Sequence, residues 1–131
     1  MTQEQKDLLL KDLCARLPYG VKGLVTFNGN LFMTAHQIED RTIDGKLYDR
    51  FAEFQDSWYD NVTIKPYLFP LSSMTEEQTE ELLKLIDTGQ NDNNEIMRTL
   101  CRIEFYHKHH FDYRGLIPMG LANDATGKNI Y

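Results

Sequence analysis

Two cysteines, Cys14 and Cys101, are all that the sequence carries. They are too few and too far apart for the disulfide framework on which small secreted domains rely. Both fall inside helix-like patterns and are expected as reduced, mostly buried thiols. Long apolar runs are missing too. No stretch approaches the about 18 apolar residues that a membrane-crossing helix needs. The opening MTQEQKDLLLKDL lacks the basic start and apolar core of a secretory signal, so a cytoplasmic location without membrane contact is expected. Positive charge is in deficit, with fourteen Lys and Arg against twenty Asp and Glu and a formal net charge of -6. Such a balance repels phosphate backbones at long range and disfavours direct binding of nucleic acid.

The signatures of catalysis are absent as well: no HExxH, no GxSxG, no glycine-rich phosphate loop and no GxGxxG. Ser72 and Ser73 precede a helix, where serines commonly cap. Cys101 and His107 are six positions apart, roughly 240° around a helix, and cannot meet on it. No catalytic residue is assigned, and neither a metal nor a cofactor is expected.

What is present reads as one domain over residues 1–131. Residues 2–17 carry a helical pattern. Thr2 and Gln5 form a capping-box pair, and Leu9, Leu10, Leu13, Cys14 and Leu17 make one apolar face before Pro18 stops the helix. VKGLVTF and LFMTAHQI flank Asn28-Gly29, a strong hairpin signal because a type I′ turn needs positive φ at both central residues. Asp44-Gly45 offers a second turn. In residues 46–60, Leu47, Phe51, Phe54 and Trp58 recur at helical spacing and favour a helix, while the strand-like flanks leave a twisted meander open. VTIKPYLFPL is extended, with Pro66 and Pro70 marking an edge strand or its exit. Thr75 with Gln78 opens the clearest helix, residues 75–88, on which Leu82, Leu83 and Ile86 share a face, with Leu85 at its margin. The expected fold is α+β: a small antiparallel sheet within residues 20–70, packed with helices over 2–17, 75–88 and 94–110.

Three of the four histidines lie in FYHKHHFDYRG, at 105–115. If the last helix runs through His110, then Ile96, Leu100, Ile103, His107 and Phe111 form its inward stripe. His110 lies roughly 60° from that stripe and His109 roughly 160° from it, at about 100° per residue. The rings then diverge, which weakens a zinc site built from His107, His110 and Asp112. His107 is read as a hydrogen-bonded, largely buried side chain. On the opposite side Arg98, Arg102, Phe105 and His109 recur at i, i+4, i+7 and i+11. This is a cationic strip with one exposed-looking ring, and a candidate docking surface for a protein partner. The bland alternative pairs that face with the Glu-rich helix and covers Phe105. In the tail, Asp112 can cap a short turn from Tyr113 to Ile117, and Arg114 can bridge a helix terminus or pair with Asp112.

Three blocks, LLLKDLCARLPYGVKG, IKPYLFPLSSMTEEQTEEL and HHFDYRGLIPMGLA, resemble a family of small proteins from gut bacteria and their prophages or mobile elements. Relatives read KPYLRP where this chain has Phe69, so no anion-binding role carries over to that position. No activity is assigned to the family, and the resemblance implies a setting rather than a chemistry. The blocks suggest one composite site from Arg16, Tyr19, Lys65, Tyr67, His110, Asp112, Tyr113 and Arg114, if the first and last helices pack beside the sheet. The expected function is a non-enzymatic interaction or accessory protein of a bacterial mobile element, with a protein partner. The alternatives are a small metal-binding protein or enzyme using the His107, His110 and Asp112 region, and an acidic nucleic-acid mimic using residues 76–87. The sequence does not give the oligomeric state.

Overall fold

Thr2 starts the first helix, α1 (Gln3–Arg16), with a complete capping box: its hydroxyl accepts from the Gln5 N–H, and the Gln5 side chain accepts from the Thr2 N–H. The computed structural model describes residues 2–39, 41–43, 46–49, 52–53, 62–88 and 95–131. Pro18 ends α1 in a short 3-10 turn, and Gly20, at φ 70°, redirects the chain into the sheet. Strands β1 (Lys22–Phe27) and β2 (Asn30–Gln37) form the expected hairpin. Asn28 and Gly29 sit at φ 51° and 77°, the positive pair that the turn type demands.

The helix favoured over residues 46–60 is corrected by strands. β3 (Arg41–Ile43), β4 (Lys46–Asp49) and β5 (Ala52–Glu53) make a separate antiparallel ribbon. Asp44-Gly45 and residues 54–61 lie outside the described residues.

β6 (Val62–Pro70) is central rather than at an edge. The larger sheet runs β2-β1-β6-β7, with β8 also paired to β6. Pro66 is tolerated because of where it falls. Pairing with β1 ends at Gly23↔Pro66, and the parallel partners β8 (Asn123–Asp124) and β7 (Phe111–Asp112) take over at Tyr67 and Phe69. The missing N–H therefore sits at the handover between two neighbours. The sheet is antiparallel through β2-β1-β6 and gains two short parallel pairings that the sequence pattern did not announce.

Two cores result. Leu9 and Leu13 of α1 pack with Val21, Val25, Ile38, Ile64 and Leu68 of the sheet region, closed by Leu116, Leu121 and Ala122. The second core joins α2 (Glu76–Thr88) to α3 (Glu95–Lys108) through Leu82, Ile86, Phe105 and Phe111. Thr75 and Gln78 form the second capping box as expected. Leu83 is exposed rather than inward, and Cys14 is exposed rather than buried, with Cys101 half-buried. The architecture is α+β, with three α-helices among the described residues. No helix among the described residues is long and apolar enough to cross a membrane.

Candidate functional site

Leu9, Asp12, Leu13 and Arg16 stand at i, i+3, i+4 and i+7 of α1, so one face carries two leucines and an ion pair into the interior. Asp12 and Arg16 are fully buried, with Arg16 Nε donating to Asp12 Oδ2 at 2.9 Å and Nη2 donating to Oδ1 at 3.2 Å. Arg16 also donates to the Tyr106 carbonyl at 3.3 Å and the Phe111 carbonyl at 2.6 Å. These are acceptors at the C-terminal end of α3 and just past it, where a cation is favoured. From the tail, Arg114 Nε donates to Asp12 Oδ1 at 3.2 Å. One carboxylate thus joins α1, the end of α3 and the carboxyl-terminal segment.

Tyr113 lies beside this cluster. Its ring stacks on Tyr106 at 5.6 Å, with the Arg114 guanidinium 4.9 Å and the Arg16 guanidinium 5.8 Å from its centroid. Its hydroxyl is hydrogen-bonded to His107 Nε2 at 2.7 Å. Burial, followed by the Arg16 charge, pushes the His107 pKa down, and burial raises that of Tyr113. Both are held neutral, so the pair is a hydrogen-bonded brace rather than a charged one. Asp112 accepts from the Leu116 and Ile117 N–H groups at 2.9 Å each and so caps the expected short turn. Arg114 pairs with Asp12, not with Asp112 as expected.

The last helix ends at Lys108, earlier than the sequence pattern suggested, and His110 adopts φ 59° before β7 begins. The three imidazoles still part company. His107 meets Tyr113, His109 lies 4.4 Å from the Phe105 ring with Nε2 4.0 Å from Glu81, and His110 stacks on Tyr131 at 3.9 Å and 12°. Among the described residues no group of three or more His, Cys, Asp or Glu could hold a metal ion.

The cationic strip with an exposed ring is corrected. Phe105 is 3% exposed and packs against α2 and Phe111, while Ile96, placed on the inward stripe, is 71% exposed and Leu100 is also open. The reason is phase. Phe111 helped set the inward stripe, but the helix ends before it, so the side facing α2 runs through Cys101, Phe105 and His109 instead. Arg102 is exposed, whereas Arg98 and His109 are half-buried.

Of the composite-site residues, Arg16, Tyr113 and Arg114 gather around Asp12. His110 faces the Tyr19 backbone and stacks on Tyr131, whose hydroxyl donates to the Tyr67 carbonyl at 2.8 Å and accepts from the Lys22 N–H at 2.9 Å. Tyr67 is buried, and its pKa is raised by that burial. Lys65 is half-buried on β6. Sequence reasoning missed Asp12 and Tyr131. The signal for Asp12 was available, since it shares the helical stripe of Leu9 and Leu13. Tyr131 offered none, because its partners lie on distant strands.

The class that this architecture defines is an α+β protein braced by a buried Asp12–Arg16 pair that half-buried Arg114 joins from the tail. The chain matches no family model, no curated protein and no solved structure.

Proposed function

We propose that the chain is a non-enzymatic interaction protein, an accessory protein of a bacterial mobile element acting in the cytoplasm, and that it binds another protein through the outer end of the β1–β2 hairpin. One observation carries this reading. Leu31 and Phe27 are 61% and 49% exposed, beside Met33, which is exposed too. Meanwhile Asp12 and Arg16 of the first block and Asp112 and Arg114 of the third are engaged in holding elements together. Apolar side chains concentrated on one hairpin are a feature of docking surfaces, whereas scattered ones need no explanation. Residues 30–35 of β2 are exposed without interruption. Among the described residues β2 pairs only with β1 and ends the strand order, a position at which a partner's strand could add. The partner that fits is a protein offering an extended apolar segment. The metal or enzyme alternative draws on His107, His110 and Asp112, which are each occupied in different contacts.

The test is capture from a bacterial host carrying such an element, with wild type and Phe27→Thr/Leu31→Thr as paired baits and quantitative mass spectrometry of the eluates. The reading expects at least one protein retained by wild type and depleted tenfold or more with the variant. Identical eluates from the two baits would remove the hairpin as the binding surface.

A further inference from the structure

We infer that His110 and Tyr131 form an acid-sensitive latch, in which protonation of the His110 ring releases the 128–131 segment from β1 and β6 while the sheet and helices stay folded.

The latch is built from ring contacts and hydrogen bonds. Tyr131 stacks face to face on His110 at 3.9 Å, and its hydroxyl bridges the Lys22 N–H and the Tyr67 carbonyl. The Lys22 ammonium donates to the Ile130 carbonyl at 3.0 Å. The Tyr131 ring also lies 6.1 Å from Phe69. The segment is otherwise shallow, with Lys128, Asn129 and Tyr131 exposed, and the Lys128 ammonium adds a contact 5.8 Å from the Tyr67 ring centroid.

His110 is the buried member, 5% exposed, and its Nδ1 has no hydrogen-bond partner. The groups around it come from every neighbouring element. Arg16 of α1 and His109 at the end of α3 oppose a positive ring, and the Tyr19 backbone of the 3-10 turn favours one. The Lys22 N–H on β1 and the Tyr67 carbonyl on β6 hold the hydroxyl of Tyr131, whose ring covers it. Asp12 is already shared between two guanidiniums. A proton on Nδ1 therefore arrives without an acceptor, beside a buried guanidinium. A cation over the Tyr131 ring recovers only part of that cost. Lifting the 128–131 segment is the shortest route by which the ring regains water.

Burial, followed by the Arg16 charge, lowers the His110 pKa from 6.5 to about 4. With the segment lifted, the ring returns toward 6.5. Acidification across that window then favours the open form by up to roughly 300-fold, tenfold for each pH unit.

The experiment is amide hydrogen exchange on the whole chain from pH 7 to 3.5, with protection corrected for the intrinsic rate at each pH. The Lys22 amide, bonded to Tyr131, reports the latch, and the Val25 amide inside β1 reports the fold. In wild type the latch predicts that Lys22 protection falls about tenfold per unit below pH 6.5 while Val25 holds. His110→Asn keeps a side chain suited to positive φ and cannot titrate there. It should give Lys22 protection that is lower but flat with pH. Carboxylates titrate in the same range, so a Lys22 profile in His110→Asn that still falls with acid would overturn the latch. In wild type, parallel loss at Lys22 and Val25 would overturn it equally, because that is unfolding rather than release.

Discussion

Asp12 accepts from two guanidiniums at once in a fully buried position, and each of those arginines reaches a different part of the chain. The identity of one residue thus bears on the first helix, the end of the last helix and the tail together. A buried ion pair adds little net stability when intact, but removing one member strands an uncompensated charge. Asp12→Asn should therefore cost about 3–5 kcal/mol in urea-induced unfolding. Arg114→Ala, losing the 19%-exposed partner, should cost clearly less. His110 gives the residue scale its pH dependence. Its folded pKa of about 4 lies below the unfolded value, so the unfolded chain binds more protons between pH 4 and 6.5. Stability from this group is fully present above pH 6.5 and is lost as pH falls toward 4, by at most about 3 kcal/mol. Local release of the 128–131 segment would cap that loss at the free energy of opening. Urea midpoints measured across this range should rise with pH in wild type and flatten in His110→Asn.

At the scale of elements, local chemistry was legible wherever one side chain answers one backbone demand. Both capping boxes, Thr2 with Gln5 and Thr75 with Gln78, form as their spacing implies, and so does the Asn28-Gly29 turn. Thr75→Ala should cost about 1 kcal/mol, read from thermal or urea unfolding, because it strands the Gln78 N–H at the start of α2. Elements whose fate depends on neighbours read less well. The inward face of α3 was misplaced because the helix stops at Lys108, and Phe111 then follows the phase of a strand. The aromatic spacing around Phe51 mimics a helix, yet the described residues there pair as strands. Gly23 shows a demand that only packing reveals. A Cβ at this position would stand 3.0 Å from Ile64 Cγ2 and 3.1 Å from the Lys65 carbonyl. Gly23→Ala should destabilise by about 1–3 kcal/mol, detectable as a lower urea midpoint, since β1 and β6 must part to admit the methyl group.

For the whole molecule, the first helix and the segment after the last one meet in one region, where Arg16, Tyr113 and Arg114 gather around Asp12, while Tyr67 of the middle segment lies against Tyr131 instead. That convergence was foreseeable only as a grouping, because the sequence does not show that a single aspartate on α1 collects both arginines. The hairpin was readable as a hairpin, but not as the place where large apolar side chains are left exposed. Whether β2 faces outward depends on strand order, and strand order is set by pairings between β1 and β6 that are distant in sequence. This division, in which charge braces the interior and the β1–β2 hairpin presents apolar surface, is the basis of the proposed role. Its most direct test needs no partner: the urea unfolding free energy of Phe27→Thr/Leu31→Thr beside wild type. Side chains held for a partner should be dispensable to the isolated fold, giving a loss below about 1 kcal/mol. A loss of about 4 kcal/mol or more, the scale of two truncated core residues, would place them in the protein's own core and contradict the account.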